Sequence, residues 1–113
     1  MTQNKWEEVD SSLFRGSGSN PISRAKIKKY AAAMEQSGWD RFPPIHGGIS
    51  TIDETDIEDY EEAEAEGFAH ELDYNRPIDQ SDLGREYALI EDGHHRAFAA
   101  WLTEIPIRVK IWD

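Results

Sequence analysis

Tyr87-Ala88-Leu89-Ile90-Glu91-Asp92-Gly93-His94-His95-Arg96-Ala97-Phe98-Ala99-Ala100-Trp101-Leu102 carries the clearest structural signal in the chain. Tyr87 to Ile90 is a short apolar run bounded by polar residues, as a buried strand would be, and Glu91-Asp92-Gly93 turns it. A helix follows at once, with Phe98, Trp101 and Leu102 expected on its apolar side beside Ala97 and Ala99. Pro106 marks where that helix has ended. Beyond it Ile107, Val109 and Ile111 alternate with Arg108, Lys110 and Trp112, the period of a final strand with one buried face.

Working back from this unit, Pro21-Ile22-Ser23 reads as a helix start, with Ser23 as N-cap and Ile22 positioned to staple onto Ile27. Ile27, Tyr30, Ala31 and Met34 recur at helical spacing and Gly38 is a stop, which predicts a helix from Arg24 to Ser37. Trp39 to Pro44 is a turn closed by two prolines. Ile45 to Ile52 is apolar enough for a short strand that Gly47-Gly48 weakens. Residues 1–20 read as irregular, since Gly16-Ser17-Gly18-Ser19-Asn20 is a loop composition. Phe68 to Gly84 reads as loop, with a helical turn near Ser81 to Leu83.

The whole is a small α+β domain, a mixed sheet with flanking helices. A length of 113 residues suits one domain with one core, and four Trp, four Tyr and four Phe supply it with large side chains. No stretch is long and apolar enough for a membrane span, and the polar, acidic start lacks the pattern of a signal peptide, so a cytoplasmic protein is expected. The absence of cysteine excludes disulfides, thiolate metal sites and a cysteine nucleophile.

The net charge of −11 is unevenly distributed. Residues 53–82 hold thirteen Asp and Glu against Arg76 alone, so the remainder of the chain is close to neutral. From Asp53 to Glu66 nine of fourteen residues are acidic, which suits a solvated helix or a disordered excursion equally. This acidic insertion, 53–82, offers a surface to a basic protein partner. DNA binding is not expected, because no long cationic track accompanies it.

The strand, turn and helix around Gly93 have a chemical use. The first N–H groups of a helix lack intrahelical partners and lie at the positive end of its dipole, so a phosphate placed there finds donors and a favourable field. Gly93 removes a side chain that would block close approach. Arg96 can fork two N–H bonds to phosphate oxygens, and His95 can donate another. The structural alternative is an Arg96 that simply pairs with a nearby carboxylate.

The run from Tyr87 to Ala100, followed by Ile105-Pro106-Ile107-Arg108-Val109, resembles the signature of the ParB/sulfiredoxin superfamily. Asn20-Pro21-Ile22 and Phe42-Pro43-Pro44-Ile45 sit where ParB-like chains carry similar segments. The resemblance implies a turn that holds nucleotide phosphates, as ParB does with CTP, sulfiredoxin with ATP and the free serine kinases with ADP. Carried over by position, Gly93, His94, His95 and Arg96 are the expected phosphate contacts, with Mg²⁺ accompanying the nucleotide and Asp92 and His94 as the candidate catalytic groups. Sulfiredoxin needs a Cys where His94 stands, which excludes sulfinic acid reduction. ParB proper continues into a helix-turn-helix domain and none follows here, so centromere binding is not expected. The carboxylate base of the serine kinases has no mapped counterpart; Glu7, Glu8 and the 53–66 run are the candidates.

Other features read more simply. Gly16-Ser17-Gly18-Ser19 lacks the Gly-Lys-Ser/Thr of a P-loop and reads as a flexible loop. His46 and His70 have no partner at metal-ligand spacing, so no metal site is expected. Lys26, Lys28 and Lys29 read as the wet side of the first helix, with lining of the nucleotide pocket as the alternative. Two functions therefore stand side by side: a stand-alone nucleotide-binding domain, with phosphoryl transfer or nucleotide hydrolysis as its enzymatic form, and a non-catalytic acidic protein that docks on a basic partner or imitates DNA.

Overall fold

The computed structural model describes residues 6–16 and 22–110. Expectations for Ser17 to Pro21, and for Ile111 and Trp112 in the last strand, lie outside them. The element order is β1 (Trp6–Val9), β2 (Phe14–Gly16), α1 (Arg24–Ser37), β3 (Ile45–Thr51), α2 (Glu54–Glu66), two 3₁₀ turns (Ala69–Leu72 and Gln80–Asp82), β4 (Glu86–Asp92), α3 (His94–Thr103) and β5 (Ile107–Lys110). The strands form one mixed five-stranded sheet in the order β1-β5-β3-β4-β2. Pairing is antiparallel for β1 with β5 and β3 with β4, and parallel for β3 with β5 and β2 with β4.

The expectation of an irregular N-terminal segment is corrected by both edges of this sheet, which are built from it. Trp6–Val9 pairs with β5, and Phe14–Gly16 pairs with β4. These strands are four and three residues long, too short to show a period of their own, and they gain their order from ladders to distant partners. Gly16 accordingly belongs to a strand.

The apolar side chains form two clusters where chain length suggested one. Alternation along β4 explains the division: Ala88 and Ile90 join α1, α3, Ile45, Ile107 and Val109, while Tyr87 and Leu89 join Leu13, Ile52, Ile57 and Tyr60 under α2. The α3 face on the sheet is an alanine stripe, Ala97, Ala99 and Ala100, all fully buried. Small side chains let the helix lie close to the strands. Phe98 and Trp101 pack at its flank around Phe14, with ring centroids 5.1 and 6.2 Å away, and Leu102 is 62% exposed, against its expected place on the apolar side.

Local signals explain the helix limits. The Ser23 hydroxyl accepts from Lys26 N–H and Gly38 N–H returns to Met34 O, as the capping pattern predicts, although Ile22 stays exposed. The acidic run is a helix: Asp53 and Asp56 form a reciprocal capping box, Gly67 closes the far end in the left-handed region, and Ile57 and Tyr60 are buried. In β3, Gly47 is a requirement and not a weakness. The register shifts at His46/Gly47, and a Cβ on Gly47 would stand 1.7 Å from Leu89 O.

Between α2 and β4 the chain is held by polar contacts. Asp82, almost fully buried, accepts from both Arg76 terminal nitrogens (3.2 and 2.9 Å), Arg85 Nε (3.1 Å) and Asp79 N–H (3.1 Å). The Arg76 hydrogen bonds are the main reason that the Asp82 carboxyl titrates below its ordinary range, against the opposing effect of burial. None of the described helices is long and apolar enough to cross a membrane.

Candidate functional site

β4 delivers Asp92 and Gly93 to the start of α3, and α1 lies alongside, so the turn opens into a cleft of about 210 Å³ lined by Asp92 to Arg96 together with Lys26 and Tyr30. Of the three lysines only Lys26 lines this cleft, while Lys28 and Lys29 are exposed, as the wet side of α1. Tyr30 lies one helical turn on, and its i, i+4 spacing to Lys26 is the signal of its place that the sequence carries; the Lys26 Nζ lies 5.7 Å from its ring centroid.

Gly93 adopts φ 103°, in the left-handed region, and α3 has no side-chain cap there. The leading amides, residues 94 to 96, therefore have no intrahelical acceptor. A Cβ at Gly93 would meet Arg96 Nη2 at 2.7 Å and Ile45 Cγ2 at 2.8 Å. The missing side chain consequently makes room for Arg96 and the core as well as for an anion.

Arg96 is committed to the protein. Its Nη1 donates to Pro43 O (2.6 Å) and Pro44 O (3.2 Å), and Nη2 lies 3.7 Å from the Asp92 carboxylate. The guanidinium ties α3 to the proline turn before β3, so the expected two-pronged phosphate contact from Arg96 competes with these bonds. The carboxylate pairing expected as the alternative is present only as the 3.7 Å contact with Asp92, and the hydrogen bonds go to main-chain carbonyls instead.

The two histidines diverge, as adjacent positions at a helix start must. His95 Nε2 accepts from Ser23 N–H at 3.0 Å, joining the start of α1 to the start of α3. Only its Nδ1 is left to donate, which narrows the role expected for it. His94 is buried to 9% exposure and packs on β2, since a Cβ on Gly16 would come within 3.0 Å of its ring. Burial lowers the tendency of both rings to protonate; for His94 the charges of Asp92 and Asp73 oppose this, and for His95 Lys26 and His94 add to it.

The carboxylates sort clearly. Asp92 lines the cleft with its side chain 78% exposed. Asp73 is near enough to His94 to influence its titration, and its carbonyl accepts from Gly16 N–H at 2.9 Å. Nothing in the sequence separated it from the twelve other acids of its segment. Glu7 and Glu8 lie exposed on β1 at the far edge of the sheet, and the acids of α2 do not line the cleft. Among the described residues no group of three or more Asp, Glu and His side chains could hold a metal ion. No protein-family model, characterised protein or solved structure matches this chain.

Proposed function

We propose that the Gly93 turn is the phosphate-binding part of a ParB/sulfiredoxin-like nucleotide-binding domain. The observation that carries this reading is the meeting of a helix start whose N-cap, Gly93, has no side chain with the Lys26 side chain in one cleft. The amides of His95 and Arg96 supply donors to an anion, Lys26 supplies charge, and Tyr30 offers a ring edge and a hydroxyl. The cleft lies below the roughly 300–1,000 Å³ typical of whole-ligand pockets, so it suits the phosphates, with base and sugar outside it. A Mg²⁺ travelling with ATP, ADP or CTP would take most of its ligands from phosphate and water, with Asp92 the carboxylate on hand. In the enzymatic form of this reading, phosphoryl transfer or hydrolysis, Asp92 orients the reacting group and His94 supports the turn from beneath.

Calorimetric titration of ATP, ADP, CTP and GTP with Mg²⁺ tests the proposal. Because Arg96 is a structural clamp, Lys26→Ala is the cleaner variant: micromolar binding should weaken about tenfold in it and fall further with added salt. A folded wild-type protein that binds none of the four overturns it.

A second reading is favoured by α2, which presents Glu58, Glu61, Glu62 and Glu64 to solvent from an ordered scaffold. It is an acidic surface that docks on a basic protein, in competition with DNA or otherwise, by salt-sensitive attraction. Deleting the helix would remove Ile57 and Tyr60 and uncover Leu13, Ile52 and Tyr87 beneath them, so the informative variant changes those four glutamates to Gln. Capture of a basic partner that survives this change would rule the reading out.

A further inference from the structure

A second concavity lies where β1, β5 and the start of β3 meet the Trp39–Pro44 turn, and it encloses about 460 Å³, within the range of small-molecule sites. The sheet register explains why it is there. Val9, Ile45, Ile107 and Val109 face the α1/α3 cluster, so the intervening positions point the other way. Trp6 pairs with Lys110, Glu8 with Arg108, and His46 with Lys110, which puts these five side chains on one face. The cluster under α2 draws on β4 and not on β1 or β5, so α2 leaves this end of the face uncovered.

The lining has two characters. Trp6, 39% exposed, and Phe42, Pro43 and Pro44 give flat apolar walls. Arg108, Lys110 and His46 bring basic groups against Asp40 as the single carboxylate among the described residues of the lining, in a chain whose net charge is −11. Arg108 is already oriented: its guanidinium carbon sits 4.7 Å from the Trp6 ring centroid and its Nε 3.8 Å from Glu8, yet that Nε is buried without a hydrogen-bond acceptor.

We propose that this concavity binds a small planar aromatic anion, a carboxylate or phosphate on a single or fused ring. The ring lies against Trp6 and the proline wall, and the anion is held by Lys110 and the terminal nitrogens of the Arg108 guanidinium. Both halves are needed, since an aliphatic anion loses the stacking and a neutral ring loses the charge-assisted bonds. The site is separate from the Gly93 turn and does not depend on its function.

The test follows the indole N–H resonances of the full chain by NMR while benzoate, indole-3-carboxylate or phenyl phosphate is added. The expected result is a saturable shift of the Trp6 resonance with Kd of about 1 mM or tighter for at least one of the three. Acetate and phenol should each bind about tenfold more weakly, and Lys110→Gln and Arg108→Gln should each lose about tenfold. Trp6→Ala, changing a partly exposed side chain, should fold and, because it removes the reporter, is followed by the line broadening of the ligand's own resonances, which should show binding about tenfold weaker, whereas Lys26→Ala should leave the Trp6 response unchanged. Binding of carboxylates alone, or of phenyl phosphate alone, would identify the headgroup. No saturable shift from any aryl anion, equal affinity for phenol, or a response that disappears in Lys26→Ala overturns the proposal.

Discussion

The Gly93 turn and helix α2 contrast in how each uses its polar groups. The turn reads in sequence as a set of groups waiting for a ligand, yet most of them point into the protein: Arg96 to two proline carbonyls, His95 to Ser23 N–H, His94 under Gly16. The acidic run reads as equally suited to helix or disorder, and it forms a capped helix whose charges remain in solvent while Ile57 and Tyr60 anchor it. Residue type sets what a side chain can do. Neighbours from elsewhere in the chain determine whether it is free to do it.

Substitutions can break this contrast. The largest effect is expected for Gly93→Ala, which combines a left-handed backbone with contacts under 3 Å to Arg96 and Ile45. A loss of about 3 kcal/mol in denaturant unfolding is predicted, against the ordinary cost of about 1 kcal/mol for a residue that merely prefers another backbone region. A loss below about 1 kcal/mol would mean that the turn has room to relax, and would return Gly93 to the role of admitting an anion. Arg96→Ala should cost about 2 kcal/mol without any nucleotide present, since it strips the donor from two proline carbonyls. If unfolding is unchanged, the guanidinium is not a clamp.

On α2 the effects should be smaller. Asp53→Ala removes the N-cap acceptor and half of the capping box, with an expected cost of about 1 kcal/mol. Exchanging the outward Glu61 and Glu62 for Gln should move stability by less than about 0.5 kcal/mol. A larger loss would show that these charges hold the fold and are not a free surface.

The histidines sharpen the comparison further. Burial lowers the pKa of both His94 and His95 in the folded protein, so the unfolded chain takes up protons first as pH falls. Their contribution to stability is therefore complete above the ordinary histidine pKa of about 6.5 and is lost as pH drops through and below it. Thermal melts between pH 7.5 and 5 should show a decline that His94→Asn combined with His95→Gln flattens. An unchanged slope would place both rings in contact with solvent.

Sequence and structure divided the work according to distance along the chain. The helix from Arg24 to Ser37, the strand into Gly93, the helix after it and the alternation of Ile107 and Val109 were all legible, because caps, glycines and period are local signals that a short window contains. The same holds for the turn as a candidate site. What the sequence could not reveal was pairing: that Trp6–Val9 and Phe14–Gly16 become edge strands, that Lys26 and Tyr30 face Gly93, that Arg96 is taken up by Pro43 and Pro44, and that Trp6 meets Arg108 across the sheet. Those contacts join residues dozens of positions apart, and no local propensity encodes them. They exist only once burial of the two apolar clusters has fixed the register of the sheet.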